Sequence, residues 1–400
     1  MITVSEAENI IMQQVADYGT QQVPITEATG YTLAEDIITD RDLPPWHRPT
    51  VDGIAISYVA WESGIRTFTI IATLAAGATP IDITTPSECV EIMTGGPLPE
   101  TTDTVIRYED ITIINGIVII NIPNVKKGQN IHRRGKDKLQ GDTVAARNTL
   151  IIPALISIAA SAGKSILTVK KPPRIVIITT GNELVGVQEQ PTPFQIRKSN
   201  NHTIAATLQP YHINADMLHL PDEPTITKEQ IAIALSAYDV ILLSGGVSMG
   251  KYDYVPQVLA ELNVATLFHK VQQRPGKPFW FGRHSNGTLV FAFPGNPVSV
   301  FMCLHRYFIP WLQASLSVPS SPKYAILGKD INFAVPLQYF AQVNVTINEQ
   351  GQLSATPIEG NGSGDFANLL DSNAFLELPL EKDQFKKGEA YRIWPFKPIV

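Results

Sequence analysis

The chain has two cysteines in 400 residues, Cys89 and Cys303, far apart in sequence. That excludes a disulfide framework or a cysteine-rich metal centre and fits a reducing compartment. Charged residues make up 17%, too few for long disordered tails. The formal net charge is −6, so the chain as a whole does not attract nucleic acid or an anionic membrane. Any acidic ligand must be met by local basic clusters. No apolar run is long enough to span a bilayer. The start, MITVSEAENIIMQQ, lacks the basic region and apolar core of a signal peptide, so the expectation is a cytoplasmic protein. Eight histidines are present without HExxH or other close ligand spacing, which leaves no histidine metal motif.

What is present points to several domains with much β structure. Four hundred residues exceed one ordinary core, and 30 prolines and 27 glycines require many turns. Ser5-x-x-Glu8 reads as a capping box for a first helix that Gly19 stops, and a second helix begins near Pro153. Between them, short alternating runs such as Thr67–Ile71, Thr104–Tyr108 and Ile117–Ile120 read as strands, with an Asn115-Gly116 hairpin turn. After Lys170-Lys171-Pro172-Pro173, strand and helix alternate. Strands are expected over 174–179, 215–220, 239–243 and 289–293. Helices are expected over 201–209, from a Thr227-x-x-Gln230 cap, over 255–262 and over 298–308. SLSVPSSP at 315–322 is a linker, and short strands follow to the end. The expected fold is α/β and multidomain. A central, mostly parallel three-layer α/β/α sheet domain (171–316) is joined by a helical domain (1–42 with 142–170) that carries an inserted small β domain (43–141). A small, barrel-like β domain (317–400) closes the chain.

Residues 239–299 carry the clearest chemistry. A buried strand runs into Ser244-Gly245-Gly246, with Asp253 soon after. An Arg274-Pro275-Gly276-Lys277 corner follows, then a strand ending in Pro294-Gly295-Asn296-Pro297. Glycines let backbone N–H groups converge on an anion at strand ends, as a phosphate ligand in an open α/β sheet requires. Pro297 fits the first turn of a helix, where its missing N–H costs nothing. Lys270, Arg274 and Lys277 supply cations, and His132, Arg133 and Arg134 form a second basic group on the inserted β domain.

The motifs resemble, in order and over nearly the whole chain, those of the molybdopterin molybdenumtransferase family, which includes the C-terminal domain of gephyrin. They are Asp40–Pro44 with Thr50–Ala55, Met93–Pro99, Arg107–Asp110, Arg133–Asp137, Thr180–Leu184, and the SGG, RPGKP and PGNP segments. The resemblance implies an elongated four-domain homodimer that converts adenylylated molybdopterin and molybdate to molybdenum cofactor with release of AMP. It implies catalytic roles for Asp52, Glu183, Asp222, Asp253, Lys270 and Arg274. The substrate would be held by Thr180, Gly181, Ser199, Ser244, Gly245, Gly246, Lys277, Pro294, Pro297, Ser299, Ser363, His132, Arg133 and Arg134. Ser299 and Ser363 match positions near molybdate. Carboxylates beside a phosphoanhydride need a cation between, so Mg²⁺ is expected on Asp222 and Asp253. A molybdopterin adenylyltransferase and apo-molybdoenzymes are the implied partners.

The sequence departs from the family pattern at His132 (usually Arg), Lys198 (usually Asp), Asn182 (usually Asp) and Arg274 (usually Lys). Both arginines of the family's GRxxFxR-type segment are absent from Pro336–Gln342, and Lys198 is a candidate to supply the missing charge. Two other functions compete: a catalytically weak dimeric pterin-binding scaffold, and molybdopterin adenylylation as in single-domain relatives of the central sheet. Retention of the four acids speaks against the scaffold, and the additional β domains speak against adenylylation.

Overall fold

The computed structural model describes residues 1–247, 254–360 and 362–399. Two compact units emerge: Met1–Ala34 with Asn148–Ile152 and Leu167–Val400, and Glu35–Arg147 with Pro153–Ile166.

The second unit is built on a six-stranded mixed sheet in the order Thr104–Arg107, Gly53–Ile56, Glu88–Ile92, Thr67–Leu74, Ile117–Ile120, Ile111–Ile114. Its last two strands form the expected hairpin, with Asn115 at φ 50° and Gly116 at φ 76°. Both are left-handed, which a two-residue turn matching the strand twist requires. Alternate residues bury opposite faces: Ile54 and Ile56 pack with Trp61 and Phe68, whereas Ala55 packs with Leu74 and Val90.

The first unit holds the central sheet in the order Asp216–Leu220, Ile175–Thr180, Val240–Ser244, Leu289–Phe293, Trp280–His284, Val264–His269. The first four strands are parallel, Trp280–His284 runs against them, and Val264–His269 pairs antiparallel with it. Both faces are covered, so the parallel strands read as unbroken apolar runs. Ile175 and Ile177 enter one core with Phe291 and Trp311, and Val176 and Ile178 enter the other with Ile231 and Leu259. All four parallel strands end on one edge, at Thr180, Leu220, Ser244 and Phe293.

The C-terminal strands close into a five-stranded barrel: Gln338–Ile347, Leu353–Pro357, Lys323–Leu327, Ala390–Pro395, Ala374–Leu378, and back to Gln338–Ile347. A short strand from the sheet domain, Gln273–Arg274, adds in parallel to its rim beside Gln338 and Tyr339.

Two helix starts differ from expectation. The first capping box is Thr3 with Glu6, not Ser5 with Glu8, and the helix Val4–Met12 ends well before Gly19. Val4, Ala7 and Ile11 are the buried stripe, so the helix must begin at Val4, and Glu8 is drawn to Arg306 instead. The helix expected from Thr227 begins at Pro224, which takes the first-turn position. The Thr227 hydroxyl donates back to the Pro221 carbonyl and caps nothing.

His305 lies in the helical run after Pro297, its ring edge-on to Phe301 with centroids 4.4 Å apart. Its Nε2 is buried without a hydrogen-bond partner among the described residues. Burial lowers its pKa to about 4. A folded pKa below the unfolded one means stability is held above pH 6.5 and lost as pH falls toward 4. The loss expected from that group is up to about 3 kcal/mol. Urea unfolding of His305→Phe at pH 7 and pH 4.5 should show a shallower pH dependence than the parent chain; equal slopes would remove the assignment.

Candidate functional site

The strand-end edge of the central sheet opens into a cleft of about 420 Å³. Thr180 and Gly181 end one strand and Ser244, Gly245 and Gly246 another, with Asp222 following the edge strand. Glu183, Lys198 and Ser199 complete the polar wall, and Pro297 closes it.

The strand-end groups have defined partners. Asn200 Nδ2 donates to Ser244 Oγ at 2.8 Å and to the Gly295 carbonyl at 2.9 Å, bridging the two loops. Ser244 Oγ therefore accepts, and its own proton is left to donate. Thr180 Oγ1 is buried and has no partner among the described residues. A buried hydroxyl without a partner is costly unless a ligand satisfies it. One expectation changes: the Gly245 N–H is committed to the Phe293 carbonyl at 3.2 Å. Next along the loop, the Gly246 and Val247 amides are without a partner among the described residues. The N–H groups of this loop left open to a ligand therefore begin one residue further along than the SGG string suggests.

Asp222 is fixed by a reciprocal pair with Asn182. The Asn182 N–H donates to Asp222 Oδ2, and the Asp222 N–H donates to Asn182 Oδ1, both at 3.1 Å. Asparagine at 182 makes this clamp without adding negative charge beside Asp222. The Glu183 carboxylate folds over Gly181, where an added Cβ would lie 2.6 Å from Oε2. His219 sits beneath, near the Thr179 carbonyl at 3.2 Å. Burial first, then the Lys198 charge, lowers its pKa, so it is a neutral neighbour to the two acids.

On the other side of the Pro294–Pro297 turn lies a second cleft of about 530 Å³. Gly295 and Asn296 line both. The second cleft contains Arg274, Lys277, Ser299 and Ser363, and among the described residues no carboxylate lines it. Arg274 and Lys277 are exposed and have no carboxylate partner among the described residues. Asn296 Nδ2 donates to Ser363 Oγ at 2.8 Å, which ties the turn to the loop after the barrel strand Leu353–Pro357. Leu337 and Gln342, within the segment that lacks the family's arginines, line this cleft. Lys198 lines the other, so it is not placed to replace them.

Several expected residues lie elsewhere. Lys270 lines neither cleft; it occupies a left-handed bend (φ 70°) where its N–H donates to the Phe279 carbonyl. Asp253 falls outside the described residues. Asp52, His132, Arg133 and Arg134 belong to the other unit. There Asp52 Oδ1 accepts the Thr94 N–H at 2.6 Å. His132 contacts Asp137 and Arg134 contacts Asp42, so two of the three basic groups already have acidic partners. Asn200, His219 and Gln273 were not singled out from sequence. Asn200 stands next to Ser199, but only the fold brings it to residues 44 and 95 positions away.

Known proteins match along the whole chain. Family models match in order: the MoeA N-terminal region (domain I and II) over residues 2–163, a probable molybdopterin binding domain over 176–314, and the MoeA C-terminal region (domain IV) over 324–396. The molybdopterin molybdenumtransferase of Synechocystis sp. is 36% identical over 98% of this chain and 99% of its own length. That of Haemophilus influenzae is 30% identical over the full length of both. Two structures of a molybdopterin biosynthesis MoeA protein from Pyrococcus horikoshii superpose with TM-scores of 0.85 and 0.82 at 25% and 27% identity, covering at least 99% of this chain and all of theirs. The order of motifs read from the sequence is the order of these domains, and with full-length relatives at this identity the chain belongs to the molybdopterin molybdenumtransferase family, enzymes of molybdenum-cofactor biosynthesis.

Proposed function

We propose that the chain converts adenylylated molybdopterin and molybdate to molybdenum cofactor, releasing AMP. The observation that carries this is the charge contrast of two clefts across one turn. The strand-end cleft combines Glu183 and Asp222 with Lys198 and Arg197, whereas the second has Arg274 and Lys277 without an acid. A phosphorylated pterin suits the first, where Ser244, Thr180 and the Gly246 and Val247 amides meet its phosphate. A small oxyanion suits the second, where two cations and the hydroxyls of Ser299 and Ser363 surround it. The shared Gly295 and Asn296 let both ligands approach one another.

Among the described residues no three or more His, Cys, Asp or Glu side chains gather into a metal cage. Two carboxylates suit Mg²⁺, which takes one or two and fills its shell with water and substrate phosphate. Asp222 and Glu183 would hold it, with Asp253 as the further ligand expected from the family. When bound, the ion would neutralise charge on the phosphoanhydride. Asp222, held through its Oδ2 by the Asn182 N–H, would have Oδ1 left for the ion, and Lys198 would offset the anhydride's charge. The proposal includes a homodimer; Asp52, His132, Arg133 and Arg134 lie in the inserted β domain.

The family resemblance names a scaffold and an adenylyltransferase as rivals. Purified protein given adenylylated molybdopterin should release AMP in step with cofactor formation only after molybdate is added. A ligand that stays bound and unchanged would replace this reading with a scaffold. ATP consumption with plain molybdopterin would replace it with adenylylation.

A further inference from the structure

We infer that Gln273 and Tyr307 are positioning residues for the oxyanion cleft: a buried side-chain network that holds Arg274 and Lys277 at fixed places on its wall. The inference rests on the proposed function, since it assigns that cleft to molybdate.

Gln273 is fully buried one residue before Arg274. A buried amide must have its donors and acceptor used, and here they are. Gln273 Nε2 donates to the Gly276 carbonyl at 3.1 Å and lies 3.4 Å from Cys303 Sγ. Its Oε1 accepts a short hydrogen bond from the Tyr307 hydroxyl. Tyr307 is itself 2% exposed, on the helical run that starts at Pro297. The side chain thus spans the corner from residue 273 to residue 276.

The rest of the corner is fixed by backbone. The Gly276 carbonyl also accepts the Phe279 N–H at 3.1 Å, and the Lys277 carbonyl accepts the Val271 N–H at 3.0 Å. Arg274 is held from the other side by its pairing with Tyr339 on the barrel. Gly276, at φ 85°, leaves no space for a side chain: a Cβ there would lie 2.6 Å from Cys303 Sγ and 3.0 Å from Gln273 Nε2. The network therefore packs directly against the corner. Among the described residues neither cation has a carboxylate partner, and Arg274 has only the Phe333 ring, 5.9 Å from its guanidinium carbon, so the backbone beneath them sets where their charge can reach. Losing the amide bridge leaves the Gly276 carbonyl one donor short and lets the corner shift.

Displacing charged groups by about 1 Å can cost up to a hundredfold in the step they serve. Gln273→Met keeps the side chain's length and removes both hydrogen-bonding ends. Tyr307→Phe removes one hydroxyl. The reaction is followed as AMP release against molybdate concentration, with pterin affinity measured separately by fluorescence and folding by thermal melt. Gln273→Met should raise the KM for molybdate about ten- to hundredfold, with pterin affinity unchanged and kcat at saturating molybdate within about threefold. Tyr307→Phe should move the KM in the same direction by less. Should Gln273→Met fail to fold, Tyr307→Phe decides alone. A folded variant whose molybdate KM stays within twofold of the parent overturns the inference. So does a parallel loss of pterin affinity, molybdate KM and melting temperature, which would mark the network as packing only. If the parent chain itself shows no molybdate dependence, the proposed function has failed, and that result is distinct from either outcome in the variants.

Discussion

Replacing Gly245 with alanine should weaken binding of the adenylylated pterin at least about a hundredfold while the sheet stays folded. Gly245 stands at φ 98°, where a side chain is strained by about 1–3 kcal/mol. Sterics add to this, because the new Cβ would lie 2.9 Å from the Thr180 carbonyl and 3.0 Å from Thr180 Oγ1. Both contacts are to the neighbouring strand end, and the carbonyl is backbone, so the loop rather than its neighbour must move. That movement carries the Gly246 and Val247 amides with it and presses on the Thr180 hydroxyl, which is buried without a partner among the described residues. Each charge-assisted hydrogen bond lost is about 1.5–3 kcal/mol, so misplacing two donors accounts for the expected loss. Gly388→Ala is the control: φ is 95° there and nothing lies within 4 Å of its Cβ. It reports strain alone, and ligand titration should leave its affinity unchanged. Equal affinity in the two variants would remove the cradle from the account.

The largest stability effect is expected at Glu377. Its carboxylate gathers Gln338 Nε2 and Trp394 Nε1, each at 2.6 Å, and lies 3.2 Å from Arg306 Nε. The Arg306 side chain is 2% exposed, with Glu8 at 2.7 Å as its other anion and the Trp394 ring 4.3 Å from its guanidinium carbon. Breaking a buried pair by removing one partner costs about 3–5 kcal/mol, because a charge is left buried and short of compensation. Glu377→Ala should lose that amount in urea unfolding. The double variant Arg306→Met with Glu377→Leu should recover much of it, since an apolar pair of similar volume carries no desolvation penalty. A single variant within 1 kcal/mol of the parent, or a double variant worse than the single, would contradict this.

How far sequence reached depends on whether the determining contact was local. Leu289–Phe293 was legible as a strand because its run of apolar residues is buried on both faces, and Asn115-Gly116 because only a left-handed turn suits that pair. The C-terminal domain was legible as short strands and as barrel-like, but not which strands close it: closure depends on Gln338–Ile347 meeting Ala374–Leu378 about thirty residues on. The misplaced first cap has a similar cause. TVSEAE offers the same pattern at residues 3–6 and 5–8, and the choice is made by Arg306, almost three hundred residues away. In the candidate site, Ser244 and Thr180 were picked out from strand ends and Asp222 from the family resemblance, and all three line one cleft. Asn200 and Gln273 were not picked out, because the partners of Asn200 come from other loops and Tyr307, which meets Gln273, comes from the helical run. Lys270 was carried by its neighbours' charge pattern, and its backbone conformation turns it away from both clefts.

Gln273–Arg274 belongs to the sheet domain in chain order and to the barrel in hydrogen bonding. Severing the protein in the 315–322 linker would thus not free two intact pieces: the upstream fragment would keep the cationic corner but lose Tyr339, the strand neighbour that holds it. The proposed oxyanion cleft would then be a shared possession of both halves, and an engineered exchange of the terminal barrel would have to carry a matching rim strand to preserve it.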